Sequence, residues 1–472
     1  MRKIGLLVLV CILLLAPCAT KAVEREIKGT ISVTGADSPQ AQFATQEIYS
    51  NALKAGFERR DSGATWNVVF KGIDSELGEQ SYRIMVEGNT VSIEGGDTTG
   101  LMYGGLEVGE QLALYGKVEG CDAKPYILER GIKFNIPLDM RTPSYSDAGD
   151  SAQANIEKMW DIEFWLEYID GLARNRYNAI SIWNLNPFPS MVKVPEYPDC
   201  ALDDVWKTTI PFDETYNGTA TNMVRDEHWE NYEVVKKITI DEKIEFWCEV
   251  MQYAHDRGMK FYIYTWNIYT YGEHGKYGIT SDVNNEITRD YYRCCVKAMV
   301  KTYPLLAGIG VTAGENMVWD PGMEVTNEKW LWETYGVGIS EALAEEPERE
   351  FKILHRLHLC EFDTILDIWK DFPGTVEFSD KYSIAHMYAS PHPDFINEHL
   401  EKLPEGSRIY LEVRNDDTYN LKWGDVDYAR EYLGGMPDQS VLNGFFMGSD
   451  GYIPGVECTN KDPDIAGQLF IE

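Results

Sequence analysis

The strongest constraint on the fold is a repeated pattern from about residue 129, in which short apolar segments alternate with long amphipathic ones. Segments such as 156–175 and 242–258 have the apolar spacing of helices. The short segments predict strands that are apolar on both faces, at 131–138, 177–185, 259–268, 306–314, 374–380, 407–416 and 442–450. Such strands are typical of parallel sheets covered by helices. We therefore predict a TIM-like (β/α)₈ barrel over residues 129–472.

This pattern yields seven strands, whereas the barrel needs eight. The sequence ends at GQLFIE, so we expect the eighth unit to be short or lost, as in a fragment of a longer protein. A doubly wound open sheet is the structural alternative. It is less favoured because no glycine-rich phosphate loop follows the first strand.

Residues 25–122 predict a small α+β domain ahead of the barrel. Residues 43–57 and 100–116 have helical spacing, and 66–72 is strand-like. Residues 81–97 form two alternating runs around a Glu-Gly-Asn turn, which is typical of a hairpin.

The first 22 residues, MRKIGLLVLVCILLLAPCATKA, indicate export. They combine a basic start, an apolar core too short for a confident membrane span, and small residues near Ala22 where a signal peptidase could cut. A second interpretation makes Cys18 a lipidated first residue. Either way we expect a secreted, periplasmic or cell-surface protein.

The charge and the cysteines restrict the partners. A formal net charge of −33, with no basic run after the first few residues, argues against nucleic acid or anionic lipid. The seven cysteines after Cys18 are irregularly spaced, which favours mostly free thiols. No CxxC pair or His/Cys cluster suggests zinc, so we expect no metal, and we expect no cofactor. The partner that we expect is a carbohydrate substrate.

Side chains at the carboxyl ends of barrel strands converge on one mouth, so the candidate site can be predicted. The strand ends supply carboxylates, amides and indoles, a set that suits a sugar. The predicted substrate-binding residues are Asp139, Arg141, Trp183, Asn184, Trp266, Asn267, Asn316, Asp380, Glu412, Arg414 and Tyr452. The long insertion at 186–238 follows the second strand and can wall a cleft at this mouth.

Glu315 is the predicted general acid. It follows the core strand GIGVTAG, where an apolar surrounding would raise its pKa and keep it protonated. The second carboxylate would be Asp416, Asp417 or Asp450. The structural alternative for any such carboxylate is a helix cap or a partner of a nearby arginine.

Other candidates carry structural alternatives of their own. Asp139 and Arg141 suit an ion pair or a substrate clamp better than catalysis. Trp183 and Trp266 suit the barrel core as well as a sugar platform. No GxSxG elbow is present, so acyl hydrolysis has little support.

The order of parts resembles secreted polysaccharide-degrading glycoside hydrolases. A small α+β domain ending in GLMYGGLEVGEQL runs into a barrel that opens with RGIKFNIPLDMR. This is similar to enzymes with an α-glucuronidase-type (family 67-like) or hexosaminidase-type N-terminal domain before a (β/α)₈ barrel. The resemblance covers nearly the whole chain at the level of architecture.

The α-glucuronidase resemblance implies a general-acid glutamate after strand four, which maps onto Glu315 in VTAGENM. It implies a basic aspartate after strand six, where Asp416 and Asp417 stand, and a carboxylate near strand seven, where only Asp450 stands. Hexosaminidases use an adjacent Asp-Glu pair after strand four. Gly314 precedes Glu315 here, so substrate-assisted cleavage of an N-acetylated sugar is less favoured.

The sequence therefore predicts an exported glycoside hydrolase that acts on a polysaccharide or oligosaccharide, with α-glucuronidase as the finer prediction. Arg141 or Arg414 could clamp a uronic acid carboxylate. The rival is a non-catalytic glycan-binding protein of a polysaccharide uptake system. The separation of the carboxyl groups across the mouth distinguishes the two.

Overall fold

The structure is a computed structural model. It describes residues 28–143, 150–210, 226–273, 275–314, 317, 326–358, 360–381, 396–413 and 426–448.

The first part of the chain is a six-stranded sheet with two helices on it. Its elements are β1 (Gly29–Thr34), α1 (Pro39–Lys54), β2 (Phe57–Arg59), β3 (Trp66–Ile73), β4 (Tyr82–Glu87), β5 (Thr90–Gly95), α2 (Thr98–Tyr115) and β6 (Cys121–Ala123). The strand order is β2-β1-β3-β5-β4-β6. The hairpin and both helices were predicted from the sequence. Ser38 and Asp97 cap the two helices through backbone N–H groups, which fixes where each helix begins.

The later strands form a barrel and a separate ribbon. They are β7 (Glu129–Asn135), β8 (Ala179–Trp183), β9 (Val205–Thr208), β10 (Tyr232–Lys236), β11 (Lys260–Tyr264), β12 (Leu306–Val311), β13 (Lys352–Leu357), β14 (Thr375–Lys381), β15 (Ile409–Val413) and β16 (Leu442–Met447). Eight of them close a barrel in the order β7-β8-β11-β12-β13-β14-β15-β16, and every neighbouring pair is parallel. The predicted (β/α)₈ fold is confirmed.

Helices follow the barrel strands and cover them. They are α3 (Asp150–Asn155), α4 (Ile162–Arg174), α5 (Phe188–Met191), α6 (Asp226–Glu230), α7 (Ile240–His255), α8 (Glu286–Thr302), α9 (Asn327–Leu331), α10 (Val337–Glu345), α11 (Phe362–Ile368), α12 (Ile396–Lys402) and α13 (Val426–Gly434). A π-helical turn at Trp332–Gly336 joins α9 to α10. Among the residues described, no helix is long and apolar enough to cross a membrane.

The expectation that the eighth barrel unit is short or lost at the end of the chain is wrong. The strand that the pattern missed is β13, KILHRL, in the middle of the barrel between β12 and β14. Its charged residues make the segment look polar. The inward side chains of Lys352 and Arg356 are paired with glutamates, and His355 contacts Glu328 on the outside. Because its charged side chains are paired with carboxylates, this buried strand lacks the apolar run by which the other strands were recognised.

A buried polar network closes the amino-terminal end of the barrel. Glu129 forms an ion pair with Lys260 and lies 3.5 Å from the Nζ atom of Lys352. Its other oxygen accepts hydrogen bonds from the hydroxyls of Tyr262 and Tyr410 at 2.9 and 2.7 Å. Burial by itself would raise the pKa of Glu129, but the two lysines hold it below its usual range. One carboxylate thus ties four strands together.

The sheet is joined to this same amino-terminal end. The guanidinium of Arg130 donates to the carbonyl of Ile127, to the side chain of Gln80 and to the hydroxyl of Tyr103. Asn178, just before β8, also donates to Gln80. The sheet therefore lies away from the carboxyl ends of the barrel strands, where the candidate site is expected.

Candidate active site

The candidate site is the mouth formed by the carboxyl ends of the barrel strands. Of the predicted site residues, eight are described, and these are placed one by one below. Seven lie outside the described residues: Glu315, Asn316, Arg414, Asp416, Asp417, Asp450 and Tyr452. The missed strand changes their positions in the barrel order. Asp416 and Asp417 follow the seventh barrel strand rather than the sixth, and Asp450 follows the eighth; Glu315 still follows the fourth.

Asp139 and Arg141 form a buried ion pair in the loop after β7. The Nε and Nη2 atoms of Arg141 lie 2.7 and 2.8 Å from the two carboxylate oxygens. Nη2 also donates to the backbone carbonyls of Asp203 and Asp204 in the insertion. Because the carboxylate and two guanidinium nitrogens are engaged within the protein, the geometry favours the structural ion pair over the substrate clamp.

Two asparagines at the mouth join neighbouring strand ends. Asn184, after β8, donates its side-chain amide to the carbonyls of Ile136 and Thr142 in the loop after β7. Asn267, after β11, donates to the carbonyls of Thr312 and Gly314 at 3.3 and 2.8 Å. Both amides are fully buried. These bonds fix the shape of the mouth and leave neither N–H₂ group directed at a sugar.

Trp183 and Trp266 are packed within the upper barrel. Trp183 points inward from the end of β8, and its ring stacks on Tyr264 with centroids 4.2 Å apart. Trp266 meets Trp183 edge to face at 5.2 Å. A Cβ atom on Gly310 would lie 2.2 Å from the ring of Tyr264, so glycine is required beside this stack. Both tryptophans are about 1% exposed, which favours the core interpretation over the sugar platform.

Asp380 and Glu412 take different sides of the barrel wall. Asp380 faces the helix layer, where its carboxylate lies 2.5 Å from the Nδ1 atom of His399 in α12. That hydrogen bond raises the pKa of His399. Glu412 faces the barrel interior, accepts a hydrogen bond from Ser379, and lies 3.3 Å from the Nε atom of Arg356. The structure thus brings Glu412, but not Asp380, beneath the mouth.

Two inward cations were missed in the sequence. The Nζ atom of Lys133 lies 4.1 Å from the ring centroid of Trp183, and the Cζ atom of Arg356 lies 5.2 Å from the same ring. Tyr264 stacks on one face of that indole, and the two cations are its charged neighbours. Lys133 belongs to the alternating pattern GIKFN, and this register could have revealed that it points inward with Gly131 and Asn135.

Glu273, in the loop after β11, was also missed. It is fully buried, and one oxygen accepts a hydrogen bond from the side-chain amide of Asn186 at 2.5 Å. Its other oxygen is buried, and none of the residues that the structure describes forms a hydrogen bond with it. Burial raises the pKa of Glu273 to about 8, so the acid is protonated at neutral pH. The flanking glycine and lysine in YGEHGKYG gave no sign of burial.

The described part of the chain contains no candidate metal site. No group of three His, Cys, Asp or Glu side chains there could hold a metal ion. The six cysteines that the structure describes are free thiols.

Comparison with known proteins gives matches only among solved structures. No family model matches the chain, and no curated protein matches it. A glycoside hydrolase of family 138 (GH138) that targets pectin rhamnogalacturonan II has a TM-score of 0.69 at 19% identity, covering 93% of this chain and 50% of that enzyme. The chain therefore spans half the length of that enzyme.

Hexosaminidases of family 20 are also similar. The Streptomyces plicatus β-hexosaminidase has a TM-score of 0.54 at 12% identity, over 94% of this chain and 86% of its own. The Streptomyces coelicolor β-N-acetylhexosaminidase has a TM-score of 0.51 at 12% identity, over 93% and 86%. The structural neighbours are glycoside hydrolases. At these identities the similarity establishes the fold, and α-glucuronidase stays a prediction.

Proposed function

We propose that this protein is an exported glycoside hydrolase that cleaves an acidic polysaccharide or its oligosaccharides. The observation that carries the proposal is the buried amide of Asn267, which holds the carbonyl of Gly314 at the mouth of a barrel whose structural neighbours are glycoside hydrolases. The next residue in the chain is Glu315. We therefore assign acid catalysis to Glu315, which follows this fixed residue in the chain, after the fourth barrel strand.

In this proposal Glu315 protonates the leaving oxygen, and a second carboxylate acts as base or nucleophile. Asp416, Asp417 and Asp450 are the candidates, since they follow the seventh and eighth barrel strands. The two carboxyl groups would stand about 5–10 Å apart, with the exact separation deciding between retention and inversion.

An acidic sugar is the proposed substrate, with α-glucuronidase activity as the finer form of the proposal. One feature supports it. The GH138 neighbour targets a pectic polysaccharide. Arg414 remains a candidate clamp for the carboxylate, whereas Arg141 is engaged by Asp139.

An N-acetylated sugar is a less favoured substrate despite the hexosaminidase neighbours. Substrate-assisted cleavage in that group uses an adjacent Asp-Glu pair, and glycine precedes Glu315 here. Export is proposed from the first 22 residues, with cleavage near Ala22 or lipidation at Cys18 as the two routes.

The test is a panel of pectic and other uronic-acid-containing polysaccharides, assayed with the purified protein and its Glu315→Gln variant. We expect cleavage by the parent protein, and a fall in kcat of at least about 100-fold in the variant, because the amide cannot donate the proton. The second carboxylate would be identified by parallel assays of Asp416→Asn, Asp417→Asn and Asp450→Asn. An unchanged rate in Glu315→Gln would end its assignment as the acid.

The same panel decides between hydrolysis and glycan binding alone. If the protein retains a polysaccharide but releases reducing sugar from none of the substrates tested, the non-catalytic glycan-binding protein is supported. Circular dichroism spectra that superimpose for parent and variants would show that lost activity reflects chemistry rather than unfolding.

A further inference from the structure

Three groups form a stack on the β9–β10 ribbon, which belongs to the insertion after the second barrel strand. The rings of Trp206 and Tyr232 are nearly parallel, with centroids 3.8 Å apart. The guanidinium carbon of Arg141 lies 3.9 Å from the centroid of Trp206. Two groups this close cannot share one face of an indole, so Trp206 lies between Arg141 and Tyr232.

The outermost ring of this stack is presented to solvent. Tyr232 is 41% exposed although another ring packs against it at van der Waals distance. Its inner face rests on Trp206, so the exposed part includes its outer face. Val234, on the same side of the strand, is 39% exposed. The ribbon thus shows solvent a flat aromatic surface with an apolar border.

The ribbon is fixed to the mouth. The backbone N–H of Trp206 donates to the carboxylate of Asp139 at 2.8 Å, and the N–H of Met140 donates to the carbonyl of Trp206 at 2.9 Å. Asp139 lies four residues beyond the end of β7, and the same loop is joined to the end of β8 through Asn184. The stack therefore stands at the carboxyl side of the barrel, beside the candidate site.

Arg141 holds the stack in a fixed position. Its charge is balanced by Asp139, and its position is fixed by bonds to two backbone carbonyls in the insertion. A cation behind an indole polarises the stack and holds it rigid, so Tyr232 loses little conformational entropy on contact with a ligand. A rigid aromatic face of this kind suits the C–H surface of a pyranose ring.

We propose that Tyr232, supported by Trp206 and Arg141, is an outer binding platform on which a sugar ring of a polymeric substrate stacks, away from the bond that is cleaved. This inference rests on the proposed function, since it assumes a glycan substrate. It assigns a role to Asp139 and Arg141 as well, because they position the platform rather than contact the cleaved sugar.

The experiment compares long and short substrates. Two substrates would be used: the polysaccharide that is cleaved best and the shortest oligosaccharide that is cleaved. Each would be assayed with the parent protein and with Tyr232→Ala, Tyr232→Leu and Tyr232→Trp. For Tyr232→Ala and Tyr232→Leu we expect KM on the polysaccharide to rise about tenfold, with kcat unchanged and with little effect on the short substrate. Tyr232→Trp keeps a flat ring and should retain the parent KM.

Tyr115→Ala is the matched control, since Tyr115 is an exposed tyrosine at the end of α2 on the distant sheet. It should leave KM for both substrates unchanged. Retardation of the proteins in gels that contain the polysaccharide gives a second readout that needs no turnover, and Tyr232→Ala should be retarded less than the parent. Melting curves would show whether the ribbon variants remain folded.

The outcomes separate the two proposals. Equal KM for parent and Tyr232→Ala on the polysaccharide overturns the platform while hydrolysis stands. An equal loss on long and short substrates also overturns it, because Tyr232 would then act on the cleaved sugar. Retardation that depends on Tyr232, without any cleavage, supports the platform and overturns the hydrolase. A parent protein that neither binds nor cleaves any polysaccharide overturns both.

Discussion

Glu273 is a residue whose ionisation should couple strongly to stability. Its carboxyl group is fully buried, with Asn186 as the hydrogen-bond donor to one oxygen. Because burial raises its pKa from 4.5 to about 8, the folded protein holds this proton over a pH range in which the unfolded chain releases it. The stability that it contributes is present below about pH 4.5 and is lost as the pH rises through about 8.

Glu273→Gln should remove this pH dependence, since the amide cannot ionise. We expect the free energy of unfolding of the parent to fall, relative to that of the variant, by on the order of 4 kcal/mol between pH 4.5 and pH 8.5. Urea unfolding at half-unit pH steps measures it. Glu249→Gln, at an exposed position of α7, should leave the parent slope unchanged. Parallel curves for parent and Glu273→Gln would show that Glu273 titrates normally.

At the scale of elements, asparagine bridges between strand ends define the mouth. Asn267 connects the end of β11 to the end of β12, and its removal would leave the buried carbonyl of Gly314 without its donor. An unsatisfied buried group costs about 1–3 kcal/mol. For Asn267→Ala we therefore expect a loss of stability of about 2 kcal/mol. If Glu315 is the acid, kcat should fall tenfold or more while KM changes little.

Asn178→Ala is the control for this prediction. Asn178 has a comparable role at the opposite end of the barrel, where its amide donates to Gln80 and to the carbonyl of Leu128. Its loss should cost similar stability in urea unfolding, yet leave kcat unchanged. If both variants lose kcat in proportion to their lost stability, Asn267 has no specific effect on Glu315.

At the scale of the whole molecule, the sheet and the mouth lie at opposite ends of the barrel. The sheet meets the amino-terminal end of the barrel through Arg130, whose guanidinium bonds reach Gln80, Tyr103 and three backbone carbonyls. Removing charged hydrogen bonds of this kind costs about 1.5–3 kcal/mol each, less what water restores. Arg130→Ala should lower the free energy of unfolding by about 2–4 kcal/mol, with KM and kcat unchanged.

Arg130→Lys should recover only part of that stability, because an ammonium cannot reproduce the planar fork of donors. Denaturant unfolding followed by tryptophan fluorescence, together with kinetics on the short substrate, would test the pair of variants. A change in KM for Arg130→Ala would mean that the sheet influences the mouth after all.

The barrel and most of its strands follow from the sequence alone. Segments such as YNAISIWNL and LAGIGVTAG are apolar on both faces, and only a parallel sheet covered by helices buries both. The hairpin and the two helices of the first sheet likewise follow from local turn chemistry and periodicity. These features depend on neighbours within about ten residues, so the sequence expresses them directly.

What only the tertiary structure decided is where the polar residues point and which partners they have. Lys352 and Arg356 make β13 look polar in the sequence because their partners, Glu377 and Glu412, lie on other strands, and Asp380 points to a helix rather than to the mouth. Asn184 and Asn267 look like sugar ligands until their backbone acceptors are known. Periodicity specifies burial, but pairing between the strands of a closed barrel joins residues tens to hundreds of positions apart, and no local pattern records it.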